Sequence, residues 1–263
     1  MARNSLKNVL RLIEVAQESQ SVEQSFLYDL KRSIELTDEK NTRKPSQTYK
    51  PSSMHCMRNM WYQVTAAEPD KSNVTASLIG ICESGTDRHE RIQNAVSHMK
   101  NNHIDCEYVD VARYVKSRNL DYLDVVEKQG NETKLYHKSL NMSFLCDGII
   151  RYKGKYYILE IKTESLYKWQ SREDVNPDHY NQAIAYSLSL GIDNVLFLYI
   201  NRDNTDMKAF MFHVTEEMKL ELVSKIEECD RYVKKLTCPP KPETASNKTC
   251  QYCNYRNLCR KNG

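Results

Sequence analysis

Glycine is scarce in this chain, with 7 among 263 residues, and no Walker or dinucleotide-binding pattern is present. A phosphate-cradling loop needs closely spaced glycines, so such a loop is not what organises the molecule. No apolar run reaches the roughly 18 residues that suggest a membrane-spanning helix. No internal repeat is present, which excludes solenoid and propeller arrays. The N-terminal stretch MARNSLKNVLRLIEVAQ has the pattern of an amphipathic helix. It lacks the unbroken apolar core and the small-residue cleavage site of a secretory signal. A reducing, cytoplasmic location is therefore expected, and disulfides are not.

The length suits one large domain, or a domain with an appended module. With 40% hydrophobic and 28% charged residues, the composition is that of a soluble globular chain. Net charge is +3, but from Arg231 onward eight basic residues face one acid, Glu243, which gives +7 there and −4 before it. A basic tail suits an anionic partner such as nucleic acid, and equally a solubilising role.

The stretch Ser143–Thr163 reads SFLCDGIIRYKGKYYILEIKT, two β-branched or aromatic runs around Lys153-Gly154. Centring an even-numbered turn on that dipeptide places Asp147 opposite Glu160; an odd-length loop would make them diagonal neighbours, still near enough to share an ion. Alternation puts Glu160 and Lys162 on one face. Opposed Cβ atoms stand about 4.5–5.5 Å apart, and two facing acids destabilise a pair unless a cation lies between them. A divalent metal meets that need; a solvated hairpin edge is the plainer alternative.

Residues 5–36 read as helix, with stripes at Leu6, Leu10 and Ile13 and at Phe26, Leu30 and Ile34, and a polar break at 17–24. Residues 38–53 read as a loop, followed by a short helix opened by Ser52 or Ser53. Gly85 opens another helix, with Ile92, Val96 and Met99 on its stripe and Thr86 or Asp87 as its cap. His89 falls in its first turns, where a lone histidine is usually a surface or satisfied core residue. Residues 105–128 suggest one or two helices, and 133–137 a strand. Pro177 starts a helix that Gly191 stops. Gln182 and Tyr186 share a face of it, a face that in isolation would be partly exposed. Val195–Ile200 reads as a buried strand, Met207–Val214 as its hairpin partner, and Thr215 as the cap of a long helix. The order implies an α/β fold, a small mixed sheet flanked by helices.

In order along the chain come Gly85 to His89, Asp147, Glu160 with Lys162, and Gln182 with Tyr186. This series resembles the RecB-like branch of the PD-(D/E)XK nuclease superfamily, whose pattern is GxxxH, an aspartate, ExK and QxxxY. One departure is Cys146, where proline often precedes the aspartate. The resemblance spans roughly residues 53–200. It implies that Asp147, Glu160, His89 and the Ile161 carbonyl bind Mg²⁺ or Mn²⁺, the histidine favouring Mn²⁺. It further implies that Lys162 orients water or stabilises charge, and that Gln182 and Tyr186 position the phosphate or the water.

Among the nine cysteines, Cys82, Cys106, Cys146 and Cys229 are dispersed and read as small core side chains. Cys250, Cys253 and Cys259 cluster, but three thiolates do not complete a four-coordinate site. With Cys56 they resemble the iron–sulfur branch of the same nucleases, the AddB and CRISPR-associated RecB-like exonucleases. There, one distant N-terminal cysteine joins three C-terminal ones on a [4Fe–4S] cluster; Arg58 and Tyr62 also fit that pattern. By spacing alone, a structural zinc site using Cys238 or Cys56 fits as well.

The implied division is an N-terminal helical segment (1–52), a nuclease core (53–236) and a cysteine-rich tail (237–263). The implied activity is metal-dependent exonuclease action on single-stranded or frayed DNA ends in recombination, replication or CRISPR-type processing. Tyr252, Tyr255, Arg256 and Arg260 are expected to contact the strand. The alternatives are a structure-selective endonuclease and a non-catalytic DNA-binding assembly factor. The architecture suggests a phage or CRISPR-type protein; a phage origin would place it in the host cytoplasm.

Overall fold

The computed structural model describes residues 21–40, 45, 47–70, 75–242, 250 and 253–262. The expectations for Leu6, Leu10, Ile13 and Tyr252 lie outside them. The chain divides into two compact units, residues 1–43 with 73–83 and residues 44–72 with 84–263.

In the first unit, helix α1 (Val22–Lys40) runs past Asp38, where a loop was expected. Glu35 Oε1 accepts the Ala76 backbone N–H at 3.1 Å. That N–H opens the next long helix, and a carboxylate there satisfies one of the donors a helix start leaves unpaired.

The second unit holds the sheets. Helix α2 (Met57–Val64) follows a 3-10 turn at Pro51–Ser53, with Cys56 at its N-cap rather than Ser52 or Ser53. Helix α3 (Ala76–His98) starts nine residues earlier than Gly85. His89 is therefore mid-helix, and neither Thr86 nor Asp87 caps it. A Cβ at Gly85 would stand 3.5 Å from Thr163 Oγ1, an ordinary contact, so the position does not require glycine.

Residues 105–128 carry β1 (Cys106–Val109), α4 (Val111–Ser117) and β2 (Leu123–Gln129), where only helices were expected. Strand β1 forms against residues 149–152, distant in sequence, a tertiary effect that local propensity does not register, whereas β2 pairs with Glu132–His137 across the local Gly130-Asn131 turn. Then come β3 (Glu132–His137), β4 (Met142–Cys146), β5 (Gly148–Tyr152) and β6 (Lys155–Glu164). After α5 (Leu166–Gln170) and a 3-10 turn at Pro177–His179 follow α6 (Tyr180–Leu190), β7 (Asn194–Asn201) and β8 (Met207–His213). Helices α7 (Glu216–Lys234) and α8 (Arg256–Lys261) complete the unit.

The main sheet has the order β1-β5-β6-β7-β8, and a second, three-stranded sheet has the order β2-β3-β4. The fold is thus mixed α/β. The hairpin register is the one expected, with Gly148 opposite Leu159 and Tyr152 opposite Lys155. Lys153 (φ 48°) and Gly154 (φ 79°) both take positive φ, as a two-residue hairpin turn of the I′ type needs. The expected hairpin is nevertheless shorter than Ser143–Thr163, because residues 142–146 belong to the other sheet.

Strands β6 and β7 pair in parallel, so α5 and α6 supply the crossover between them. Both faces of β7 are covered, and Val195, Phe197 and Tyr199 are fully buried beside Ile149 and Ile158. Gly191 (φ 66°) ends α6, and Thr215 caps α7 by accepting from the Met218 N–H.

Candidate metal centre and cysteine cluster

Asp147 is the single residue between β4 and β5, where the chain leaves the small sheet and enters the large one. Extending the β5–β6 register by one residue sets it opposite Glu160. Its backbone is held from two sides: Gln93 Nε2 of α3 donates to the Asp147 carbonyl at 2.8 Å, and the Tyr108 hydroxyl of β1 lies 2.8 Å from the same oxygen. Asp147 Oδ2 accepts the Ile161 backbone N–H at 2.8 Å. Gly148 is required next to it, because a Cβ there would stand 2.7 Å from the Tyr108 ring.

Glu160 points from β6 into the core with its side chain 3% exposed. Its Oε1 receives Lys162 Nζ at 2.6 Å and Gln182 Nε2 at 2.7 Å. Lys162 Nζ also donates to Gln182 Oε1 at 3.0 Å, which closes a three-residue ring. Gln182 Nε2 lies 2.8 Å from the Tyr186 hydroxyl, which donates to the Leu145 carbonyl at 2.7 Å. The face carrying Gln182 and Tyr186 is buried, not partly exposed, and Tyr186 stacks on Phe144. Glu160 Oε2 is buried and has no hydrogen-bond partner. A buried carboxylate oxygen left bare costs free energy unless something electropositive meets it.

His89 Nδ1 lies 3.6 Å from Asp147 Oδ2 and 3.8 Å from Glu132 Oε1. Among the described residues, His89, Glu132 and Asp147 form a ligand group with atoms within 4.8 Å of one another. The structure thus brings His89, Asp147, Glu160, Lys162, Gln182 and Tyr186 together, and aligns Ile161 by its N–H.

Sequence reasoning missed Glu132, Gln93 and Tyr108. Gln93 is one turn beyond His89 on the same helix face. Glu132 follows Gly130-Asn131, a recognised hairpin signal that marks it as the first residue of a strand.

The electrostatics follow from this crowding. Burial, and then the charge of Glu160, push the Asp147 carboxyl up to about 8. Burial pulls His89 down, yet Glu132, Asp147 and Glu160 outweigh it and raise the imidazole overall. Lys162 behaves likewise: burial opposes its charge, but Glu160 wins and the ammonium is held. Burial and the neighbouring carboxylates push Tyr186 well above the usual phenol range. A site that crowds carboxylates around one lysine and leaves one oxygen bare is chemically suited to a divalent cation.

The cysteines lie where the C-terminal segment meets α2. Burial pushes the Cys253 thiol up, and the surrounding thiols of Cys56, Cys250 and Cys259 add to this. Backbone and side-chain donors approach them: Tyr255 N–H to Cys253 at 3.5 Å, Asn59 Nδ2 to Cys253 at 3.9 Å, and Arg58 Nη1 to Cys259 at 3.4 Å. Arg58 also donates to the carbonyls of Pro239, Cys259 and Asn262, tying α2 to the C-terminal segment. Asp70 adds a second tie by accepting the Asn257 and Leu258 N–H groups at the start of α8. Cys238 lies by the Tyr62 hydroxyl, 3.7 Å away. Tyr255 is buried and stacks on Tyr62 at 5.2 Å, so it serves this closure and is not an open platform for a base. Among the described residues no three cysteine sulfurs lie within 4.8 Å of one another.

No helix among the described residues is long and apolar enough to cross a membrane. No family model matches the chain, and no curated protein matches it. Solved structures match at low identity. The protein called SSO0001 is 15% identical with a TM-score of 0.47, over 91% of this chain and 98% of that one. An alkaline exonuclease, LHK-Exo from Laribacter hongkongensis, is 11% identical with a TM-score of 0.43, over 73% of this chain and 92% of that one. The same exonuclease in complex with dAMP is 12% identical with a TM-score of 0.41, over 72% and 91%.

Proposed function

We infer that this chain is a metal-dependent deoxyribonuclease of the RecB-like type, hydrolysing phosphodiester bonds at single-stranded or frayed DNA ends. The observation that carries this reading is the bare, buried Glu160 Oε2 beside Asp147, with His89 and Lys162 around them. Asp147, Glu160 and His89, with the Ile161 carbonyl, would hold Mg²⁺ or Mn²⁺. A divalent ion in such a site supplies an acidified water and neutralises charge on phosphate oxygens.

The remaining roles follow from the chain's own groups. Lys162 is kept protonated by Glu160, so it acts as a fixed positive charge toward a phosphate rather than as a base. Gln182 fixes the orientation of Glu160, and Tyr186 anchors Gln182 to the β4 backbone. Their part is to hold the carboxylate, a narrower role than contacting phosphate directly.

The cysteine cluster is read as a [4Fe–4S] site of Cys56, Cys250, Cys253 and Cys259 that ties the C-terminal segment to α2. Four thiolates suit iron–sulfur or zinc, and it is the resemblance that favours the iron–sulfur reading. Approaching N–H donors also suit thiolate ligands, whose charge they stabilise.

The test is a digestion of linear and circular DNA with Mn²⁺. The parent should degrade the linear form and leave the closed circle intact, and Asp147→Ala and Glu160→Ala should be inactive. Cutting of the circle would favour a structure-selective endonuclease. Equal activity of both variants and parent would reject the catalytic assignment.

A further inference from the structure

We propose that Glu132, on the small sheet, is a further side-chain ligand for the divalent cation, sharing it with His89 and Asp147. The inference rests on the metal-dependent reading above and extends its ligand set beyond the large sheet.

Glu132 is held where a ligand needs to be. It is the first residue of β3, paired with Gln129 across the Gly130-Asn131 turn. That turn is clamped at both residues' neighbours in space. Asn131 Nδ2 donates to Asn94 Oδ1 of α3 at 2.8 Å, and the Asn131 carbonyl lies 2.8 Å from the Tyr108 hydroxyl. The same hydroxyl lies 2.8 Å from the Asp147 carbonyl. One phenol thus joins the backbones beside Glu132 and at Asp147. Helix α3 joins them again, through Asn94 on one side and Gln93 on the other. His89 sits on that helix, one turn before Gln93.

The distances leave room for an ion beside His89 Nδ1. At 3.8 Å and 3.6 Å, Nδ1 is too far from Glu132 and Asp147 for a good hydrogen bond, which needs about 2.7–3.2 Å. Ligands of one small octahedral ion with bonds of about 2.0–2.1 Å stand about 3–4 Å apart, so a modest contraction would seat an ion among the three.

A separate observation points to a cation beside Asp147. Glu160, adjacent to Asp147, keeps one buried oxygen with no partner although its other oxygen is doubly engaged.

The experiment is a Mn²⁺ titration of the full chain, read by the loss of the free-ion paramagnetic resonance signal. Binding to Glu132→Gln should be at least tenfold weaker than to the parent. Glu107→Gln, which removes an exposed acid paired with Lys100, should bind as the parent does. A Glu132→Gln affinity within twofold of the parent, with Asp147→Asn binding lost, would overturn the role of Glu132 and leave the metal site standing. No Mn²⁺ binding by the parent would sink both. Should Glu132→Gln fail to fold, a Mn²⁺-soaked crystal of the parent decides the matter. An anomalous peak in contact with the Glu132 carboxylate supports the proposal, and a peak on Asp147 and Glu160 away from Glu132 rejects it.

Discussion

Gln182 Nε2 stands 2.7 Å from Glu160 Oε1, and this bond decides which oxygen of the carboxylate is left free. Lys162 takes the same Oε1, so Oε2 is left buried without a partner. Replacing Gln182 with alanine removes the amide that joins Glu160 to Tyr186 and lets the carboxylate turn toward Lys162. DNA hydrolysis should fall at least tenfold. Unfolding free energy should drop by about 1–3 kcal/mol, because buried polar partners lose their bonds. Urea melts and a nuclease assay on one preparation would separate the two effects; unchanged activity would remove Gln182 from any positioning role.

Gly148→Ala tests the support beneath Asp147. The new methyl would meet the Tyr108 ring at 2.7 Å, too close to accommodate without movement. The ring must shift and its hydroxyl leave the Asn131 and Asp147 carbonyls. The expected loss is about 1–3 kcal/mol, the usual range for overpacking. Combining it with Tyr108→Ala should give a total clearly smaller than the sum of the two, as contacting residues couple. Additive effects in the melts would show that the clash is relieved elsewhere.

His179 provides a pH signature outside the proposed ligand set. Burial, and then the positive charge of Lys162, push its pKa down to about 3, and its ring nitrogen Nδ1 lies 3.0 Å from the Tyr199 hydroxyl. That hydroxyl accepts from the Asn176 N–H, so its proton is directed at an unprotonated Nδ1. The unfolded chain has the ordinary histidine pKa of about 6.5 and takes up a proton that the folded one refuses. Stability is therefore fully present above about 6.5 and declines toward about 3, by up to about 1.4 kcal/mol per pH unit. His179→Gln keeps an acceptor but cannot titrate in this range. Its unfolding free energy should fall less than the parent's between pH 7.5 and pH 5; parallel curves would contradict the assignment.

For the cysteines, anaerobically purified protein should be brown, with broad absorbance near about 400 nm, as thiolate-bound iron–sulfur clusters show. Cys253→Ala should be colourless and retain little iron or sulfide. Arg58→Met should leave the thiols but loosen the C-terminal segment from α2, seen as faster proteolysis after residue 236. One equivalent of zinc in a colourless parent protein would replace the cluster with a structural zinc site.

The sequence alone determined the local features. The Lys153-Gly154 break marked the turn, the structure's two-residue loop chose the even register over the odd one, and strand alternation then sets every face. That placed Glu160 and Lys162 side by side and Asp147 across from them. Helical spacing put Gln182 and Tyr186 on one face, and Gly191 and Thr215 marked the helix ends at α6 and α7.

Tertiary structure decided what no window of sequence carries. Cys106–Val109 is a strand because β5 lies beside it. Asp147 is held at a junction because residues on either side of it pair with different sheets. Glu132 and Gln93 reach the site because the small sheet and α3 meet there, and their spacing in the chain gives no hint of that meeting. Long-range pairing sets such positions, and its energy is shared among residues far apart in the chain. The turn and the alternation were legible in Asp147, Glu160 and Lys162; the bare oxygen of Glu160 appears only when Gln182 and Lys162 fold onto its neighbour.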